Sequence, residues 1–237
     1  MKVRRIVALH GLPTSPRLWE RLEVPRGWVL ERPPVPGLGP DGTPDAFSLE
    51  WAAERLRART EGADVVMGHD LGGVLAAMLA RPDQAVVLSG TALGHYWAAI
   101  RATAKPLVNR LFYHRYAGRL FLRNGGLVEH RGGLDAAFGD HGEGWAERMR
   151  TIAAAMRPPP GLGRRLRAQR VLLAWGRHDP WYPVLPVGRG LAWSTGGELA
   201  VLEAGHFAPW EAPTAFSERL ASFLAAGPEP GSLPWEP

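Results

Sequence analysis

At 237 residues and 46% hydrophobic content, the chain can bury one full core with room for an inserted subdomain. It has no cysteine, which excludes a disulfide framework, a thiol nucleophile and a thiolate metal site. The formal charge is +5, yet lysine occurs only at Lys2 and Lys105, acidic residues are interspersed, and no nucleic-acid recognition signature is present. The basicity therefore reads as an arginine bias, and no nucleic-acid partner is expected. No apolar run reaches the length of a membrane span. The basic residues Lys2, Arg4 and Arg5 precede a run too short and interrupted for a secretory leader, so a cytoplasmic location is expected.

In chain order, Arg5-Ile6-Val7-Ala8-Leu9 is a short continuous apolar run, the pattern of a strand buried on both faces, and it ends in His10-Gly11-Leu12-Pro13. Trp28-Val29-Leu30 predicts a second strand, stopped by Pro33, Pro34 and the turn-rich segment that follows. A helix is predicted from Ser48 to Arg59, with Trp51, Ala52 and Leu56 on one face. Ala63 to Met67 then feeds the turn Gly68-His69-Asp70-Leu71-Gly72-Gly73, with a helical run, Val74 to Leu79, directly behind it. Gln84 to Leu88 predicts a fourth strand, ending at Ser89-Gly90.

After Gly94 strand signals stop, and helical runs (Trp97 to Thr103, Leu107 to Leu122, Gly144 to Met156) continue to Pro158-Pro159-Pro160. Strands resume at Arg170 to Trp175 and Glu198 to Leu202, and a helix over Ala215 to Leu224 precedes a Pro/Gly-rich tail, 227–237. Strands alternating with helices predict an α/β fold with a mostly parallel sheet of about six strands, covered on both faces. The core is expected at 1–94 and 166–226. A helical cap at 95–165, inserted after the fourth strand, is too long for one crossover.

In such a sheet the chemistry gathers beyond the C-terminal strand ends. Four of those ends carry polar residues: His10-Gly11-Leu12-Pro13, Asp70 in its turn, Gly176-Arg177-His178-Asp179, and Ala204-Gly205-His206-Phe207. Gly68 and Gly72 let the backbone turn tightly and present Asp70 above its strand, the layout of a nucleophile elbow with Asp in place of Ser. Nucleophile, acid and histidine follow in the order Asp70, Asp179, His206.

With His-Gly-x-Pro at 10–13, Gly-His-Asp-x-Gly-Gly at 68–73, Gly-x-x-Asp at 176–179 and Gly-His-Phe at 205–207, with Glu211 and Pro213 beyond, the chain resembles the α/β-hydrolases. The resemblance is to their epoxide hydrolase and haloalkane dehalogenase branch. It spans residues 6 to 213 and leaves out only the cap. It implies a backbone oxyanion hole from the N–H groups of Leu12 and Leu71, and a cis peptide at Leu12-Pro13. His10, Gly11, Pro13, Gly68, His69 and Gly72 are expected to be structural. No metal or cofactor is implied, and the expected partner is a small-molecule substrate.

The residue types favour attack on an sp³ carbon. An aspartate has an ordinary pKa of about 3.9 and is already ionised at neutral pH, whereas an elbow Ser needs a base. Attack on an epoxide or alkyl halide leaves an alkyl ester on Asp70. His206, oriented by Asp179, would then activate water against that ester. The leaving group stays open on sequence alone. Dehalogenases of the resembled branch carry a halide-binding Trp directly after the nucleophile, but here that position is Leu71. Epoxide hydrolases use cap tyrosines, and Tyr96, Tyr113 and Tyr116 all fall in the expected cap, with Trp97 beside them. Epoxide hydrolysis is the leading expectation, with dehalogenase-like or esterase-like chemistry and a catalytically silent binding protein as alternatives. The basic run Arg101 to Arg123 reads as a solvated face, or as an entrance favouring anionic substrates.

Overall fold

The computed structural model describes residues 3–39, 42–94, 101, 105, 107 and 145–226. Six strands form one sheet: β1 (Arg4–Leu9), β2 (Trp28–Glu31), β3 (Val65–His69), β4 (Ala85–Ser89), β5 (Val171–Gly176) and β6 (Glu198–Leu202). All are parallel, in the order β2-β1-β3-β4-β5-β6. Because β3 and β5 are buried along their whole length, they read as continuous apolar runs rather than as alternating ones. The register sets Leu9 beside Gly68, His69 beside Ser89 and Gly176 beside Leu202. The C-terminal ends of β1, β3, β4, β5 and β6 are thereby brought together.

Seven α-helices are described: α1 (Leu49–Thr60), α2 (Leu71–Leu79), α3 (Trp145–Ala155), α4 (Leu162–Arg165), α5 (Arg189–Thr195), α6 (Ala208–Glu211) and α7 (Pro213–Ala225). Ser48 caps α1, its hydroxyl accepting the Trp51 N–H at 3.0 Å. The sequence places the start of the second helix at Val74, but α2 begins directly after Asp70. Two helix-weakening glycines sit in that extra turn because α2 lies hard against its neighbours: a Cβ on Gly72 would stand 2.1 Å from the Leu9 carbonyl oxygen, and one on Gly73 2.7 Å from the Thr91 side chain. Six short elements escape the sequence reading: α4, α5, α6, 3₁₀ turns at Pro16–Trp19 and Leu166–Ala168, and a π turn at Val184–Gly188. Each is too brief to show a helical period.

Successive strand residues point to opposite faces, and the core divides accordingly. On one face Val66, Val86, Leu173 and Trp175 pack with α1, α2 and α3. On the other, Val65, Met67, Val87 and Leu172 pack with Trp19 and with Phe216, Leu220 and Phe223 of α7. Met149 and Ile152 of α3 join the first face, as do Leu162 and Leu166. None of the described helices is long and apolar enough to cross a membrane.

Candidate active site

Asp70 stands between β3 and α2 at φ 51°, ψ −120°, the one non-glycine residue with positive φ among those described. Such a conformation costs roughly 1–3 kcal/mol and persists only where neighbours enforce it. Here β3 and α2 nearly touch, since a Cβ on Gly68 would meet the Gly72 carbonyl oxygen at 2.2 Å. The Asp70 carbonyl also accepts the Thr91 hydroxyl at 2.7 Å, tying the turn to the end of β4.

The two carboxylate oxygens of Asp70 have different partners. Oδ2 accepts the Leu12 N–H at 2.8 Å, and the Leu71 N–H also bonds the carboxylate. Oδ1 accepts the Tyr182 hydroxyl at 2.9 Å. Burial pushes the Asp70 carboxyl above the usual carboxylate range; the charge of His206 and the bonds from Leu71, Leu12 and Tyr182 oppose it. Hydrogen bonds to a charged group are worth roughly 1.5–3 kcal/mol each, so three of them go far toward holding an anion in a site that would otherwise neutralise it.

His206 and Asp179 form a buried pair, with His206 Nδ1 2.9 Å from Asp179 Oδ2. Asp179 Oδ1 accepts the backbone N–H groups of Trp181 and Tyr182 at 2.8 and 2.9 Å. These two bonds fix the carboxylate, and a proton on Nδ1 leaves Nε2 with the basic lone pair. Burial lowers the His206 pKa, but the Asp179 charge and hydrogen bond outweigh it, and the net shift is upward. Glu211 holds the loop on both sides of His206, accepting N–H bonds from Gly205 at 2.6 Å and Phe207 at 2.9 Å. Behind it, His69 Nε2 meets the His206 carbonyl at 3.0 Å. Burial, followed by the His206 charge, holds the pKa of His69 well below its usual value, so His69 stays neutral.

The remaining sequence candidates fall around this centre. His10 Nε2 accepts the Val35 N–H at 3.0 Å, away from Asp70. Gly11 lies against the Asp70 turn, where a Cβ would meet Asp70 Oδ2 at 2.7 Å. The Leu12-Pro13 peptide is cis. His178, next to Asp179 in sequence, turns outward to Glu203 at 3.2 Å. The Leu71 side chain is fully buried in the core. Tyr96, Trp97, Tyr113 and Tyr116 lie outside the described residues.

Tyr182 is the residue that sequence reasoning missed. The resemblance points to hydroxyl donors in the expected cap, whereas this fourth tyrosine follows Asp179 by three positions in Asp179-Pro180-Trp181-Tyr182. Gly90 was also passed over. At φ 48° it lies so close to the pair that a Cβ would sit 3.0 Å from His206 Nδ1 and 3.2 Å from Asp179 Oδ2. Among the described residues, no group of three or more His, Cys, Asp or Glu could hold a metal ion.

Comparisons with known proteins follow the same outline. The chain is similar to an esterase from Thermogutta terrifontis, with a TM-score of 0.74 at 18% identity, covering 95% of this chain and 90% of that one. It is similar to the enol-lactonase from Burkholderia xenovorans LB400, with a TM-score of 0.72 at 19% identity, covering 95% and 92%. An ancestral haloalkane dehalogenase superimposes with a TM-score of 0.69 at 18% identity, covering 94% and 92%. At such identities the likeness is one of fold. The curated proteins give no match. The model of the Alpha/beta hydrolase family matches residues 6–219, from β1 into α7 and through every strand end described above. By that match the chain belongs to the α/β-hydrolase family.

Proposed function

We propose that this α/β-hydrolase is an epoxide hydrolase acting on small organic epoxides through a covalent alkyl ester on Asp70. Ionised Oδ1 attacks a ring carbon, the carbon–oxygen ring bond breaks, and the ring oxygen takes a proton. The residue giving that proton is expected among the cap tyrosines. His206 then removes a proton from water, which attacks Cγ of Asp70, and the ester is cleaved to a diol. Asp179 keeps the imidazole in the required tautomer.

The observation that carries this reading is the seating of Asp70. An elbow carboxylate has one oxygen already on the Leu12 N–H at 2.8 Å and on the Leu71 N–H. Those donors can hold the oxyanion that develops when water attacks an ester of Asp70 itself. An esterase-type Ser is absent from this position. The buried apolar Leu71 offers no halide donor beside the nucleophile, which favours an epoxide over an alkyl halide.

The test is intact-protein mass spectrometry of His206→Gln incubated with a panel of epoxides and alkyl halides on which the wild type turns over. The first attack needs no base, so the variant is expected to stall after one equivalent. An increment equal to the whole epoxide identifies the proposed substrate class. An increment of the alkyl group without halogen identifies a dehalogenase. No adduct on substrates that the wild type consumes rejects covalent alkylation. A wild type inert across a broad panel favours a silent binding protein.

A further inference from the structure

The hydroxyl of Tyr182 touches the one atom of Asp70 that must leave with the product. It donates to Oδ1 at 2.9 Å, while Oδ2 is on the Leu12 amide. The residue is held at three points. Its N–H bonds Asp179 Oδ1 at 2.9 Å, its carbonyl accepts the Trp175 indole N–H at 2.7 Å, and its ring lies against His206 with centroids 5.6 Å apart. It is buried at 1% exposure, so water does not compete for the hydroxyl. A phenol so fixed is suited to transferring a proton at one defined atom.

Resting on the reading of Asp70 as an alkylated nucleophile, we propose that Tyr182 is a catalytic residue of ester hydrolysis, the general acid that protonates Oδ1 as it departs. The oxygen in the hole, Oδ2, becomes the oxyanion, so the bond to substrate runs through Oδ1. Water gives one proton to His206 and its oxygen bonds to Cγ. The Cγ–Oδ1 bond then breaks, its electron pair stays on Oδ1, and that oxygen takes the Tyr182 proton to become the product's new hydroxyl. The carboxylic acid regenerated on Asp70 is far more acidic than a phenol, with ordinary pKa values of about 4 and 10, and it returns its remaining proton to the tyrosinate. His206 releases the proton it took. The balance is ester plus water giving carboxylate, alcohol and one proton.

A donor on Oδ1 is not needed for the first attack, where it engages a lone pair of the nucleophile. The two half-reactions should therefore respond differently to its loss, and a merely structural tyrosine would not separate them. The experiment measures both rates by quenched-flow mass spectrometry on a substrate that the wild type turns over. Tyr182→Phe is compared with wild type and with His206→Gln. Adduct formation is expected to stay within about threefold of wild type, and adduct hydrolysis to fall by about 10²–10⁴-fold, the usual range for a lost general acid. Hydrolysis at the wild-type rate, or an equal fall in both steps, overturns the proposal.

A fluorinated tyrosine incorporated at 182 supplies a second variant that keeps the hydroxyl and its packing. Its lower phenol pKa should move the alkaline limb of ester hydrolysis to lower pH and leave adduct formation unmoved. An unshifted limb overturns the assignment even if Tyr182→Phe fails to fold. Failure of the underlying reading looks different: His206→Gln then forms no adduct, and the role of Tyr182 falls with it.

Discussion

At the scale of single residues, the site places a carboxyl group where folding alone would not. Asp70 combines left-handed backbone, burial and a carboxyl group pushed above its usual range by that burial. A carboxyl whose folded pKa is raised binds its proton more tightly in the folded chain than in the unfolded one. Its contribution to stability is therefore fully present below the ordinary carboxylate value and is lost as pH rises through the raised folded value. Asp70→Asn should abolish adduct formation and raise the melting temperature at neutral pH. The gain should shrink toward zero below the ordinary carboxylate range, where both side chains are neutral. Melting curves across pH check this, and a variant less stable than wild type at neutral pH would contradict the sign. Stability of this kind gained at the cost of activity is common at catalytic positions.

At the scale of elements, the turn after β4 presses on the hydrogen bond between the loops after β5 and β6. At Gly90, φ 48°, a methyl group would stand only 3.0 Å from His206 Nδ1 and 3.2 Å from Asp179 Oδ2, so the pair would have to shift by a few tenths of an ångström. Gly90→Ala should cost about 1–2 kcal/mol in stability from left-handed strain alone. It should also slow ester hydrolysis by about tenfold or more by displacing the imidazole, as a small misplacement can. Adduct formation should persist, because on the proposed mechanism Asp70 attacks without a base. Single-turnover kinetics check it, and an unchanged hydrolysis rate would show that the loops yield freely. The strand ends were legible in sequence for a physical reason. Buried parallel strands are short apolar runs, and each ended at a polar motif. The backbone state of Gly90 left no such mark, since glycine in a Ser-Gly-Thr turn serves many conformations.

At the scale of the molecule, the site draws on five strand ends, from Leu12 after β1 to His206 after β6, and so on nearly the whole sheet. Order along the chain was enough to foresee the parallel sheet and to nominate Asp70, Asp179 and His206, which depend on motif and sequence order. Tyr182 depends instead on distance. Its hydroxyl reaches Asp70 across 112 positions, and no local pattern records that contact. Glu211 is the opposite case: its carboxylate clamps the two amides flanking His206 from only four and six positions away, within the motif that follows Gly-His-Phe.

The unequal surroundings of the two Asp70 oxygens carry a consequence for the traffic of atoms through the enzyme. If Oδ1 leaves with each product and the water oxygen takes its place, the first alcohol made by a fresh enzyme molecule contains an oxygen inherited from the protein. In heavy-oxygen water, that first product should be unlabelled and every later one labelled. An enzyme cycled once in heavy water and returned to ordinary water should then release a single labelled molecule. Because Oδ2 is held by the Leu12 and Leu71 amides and Oδ1 by Tyr182, rotation of the carboxylate is opposed. The label should therefore leave in one turnover rather than trail over several. Product mass spectra, turnover by turnover, read that memory directly: the protein would remember one water molecule, for one cycle.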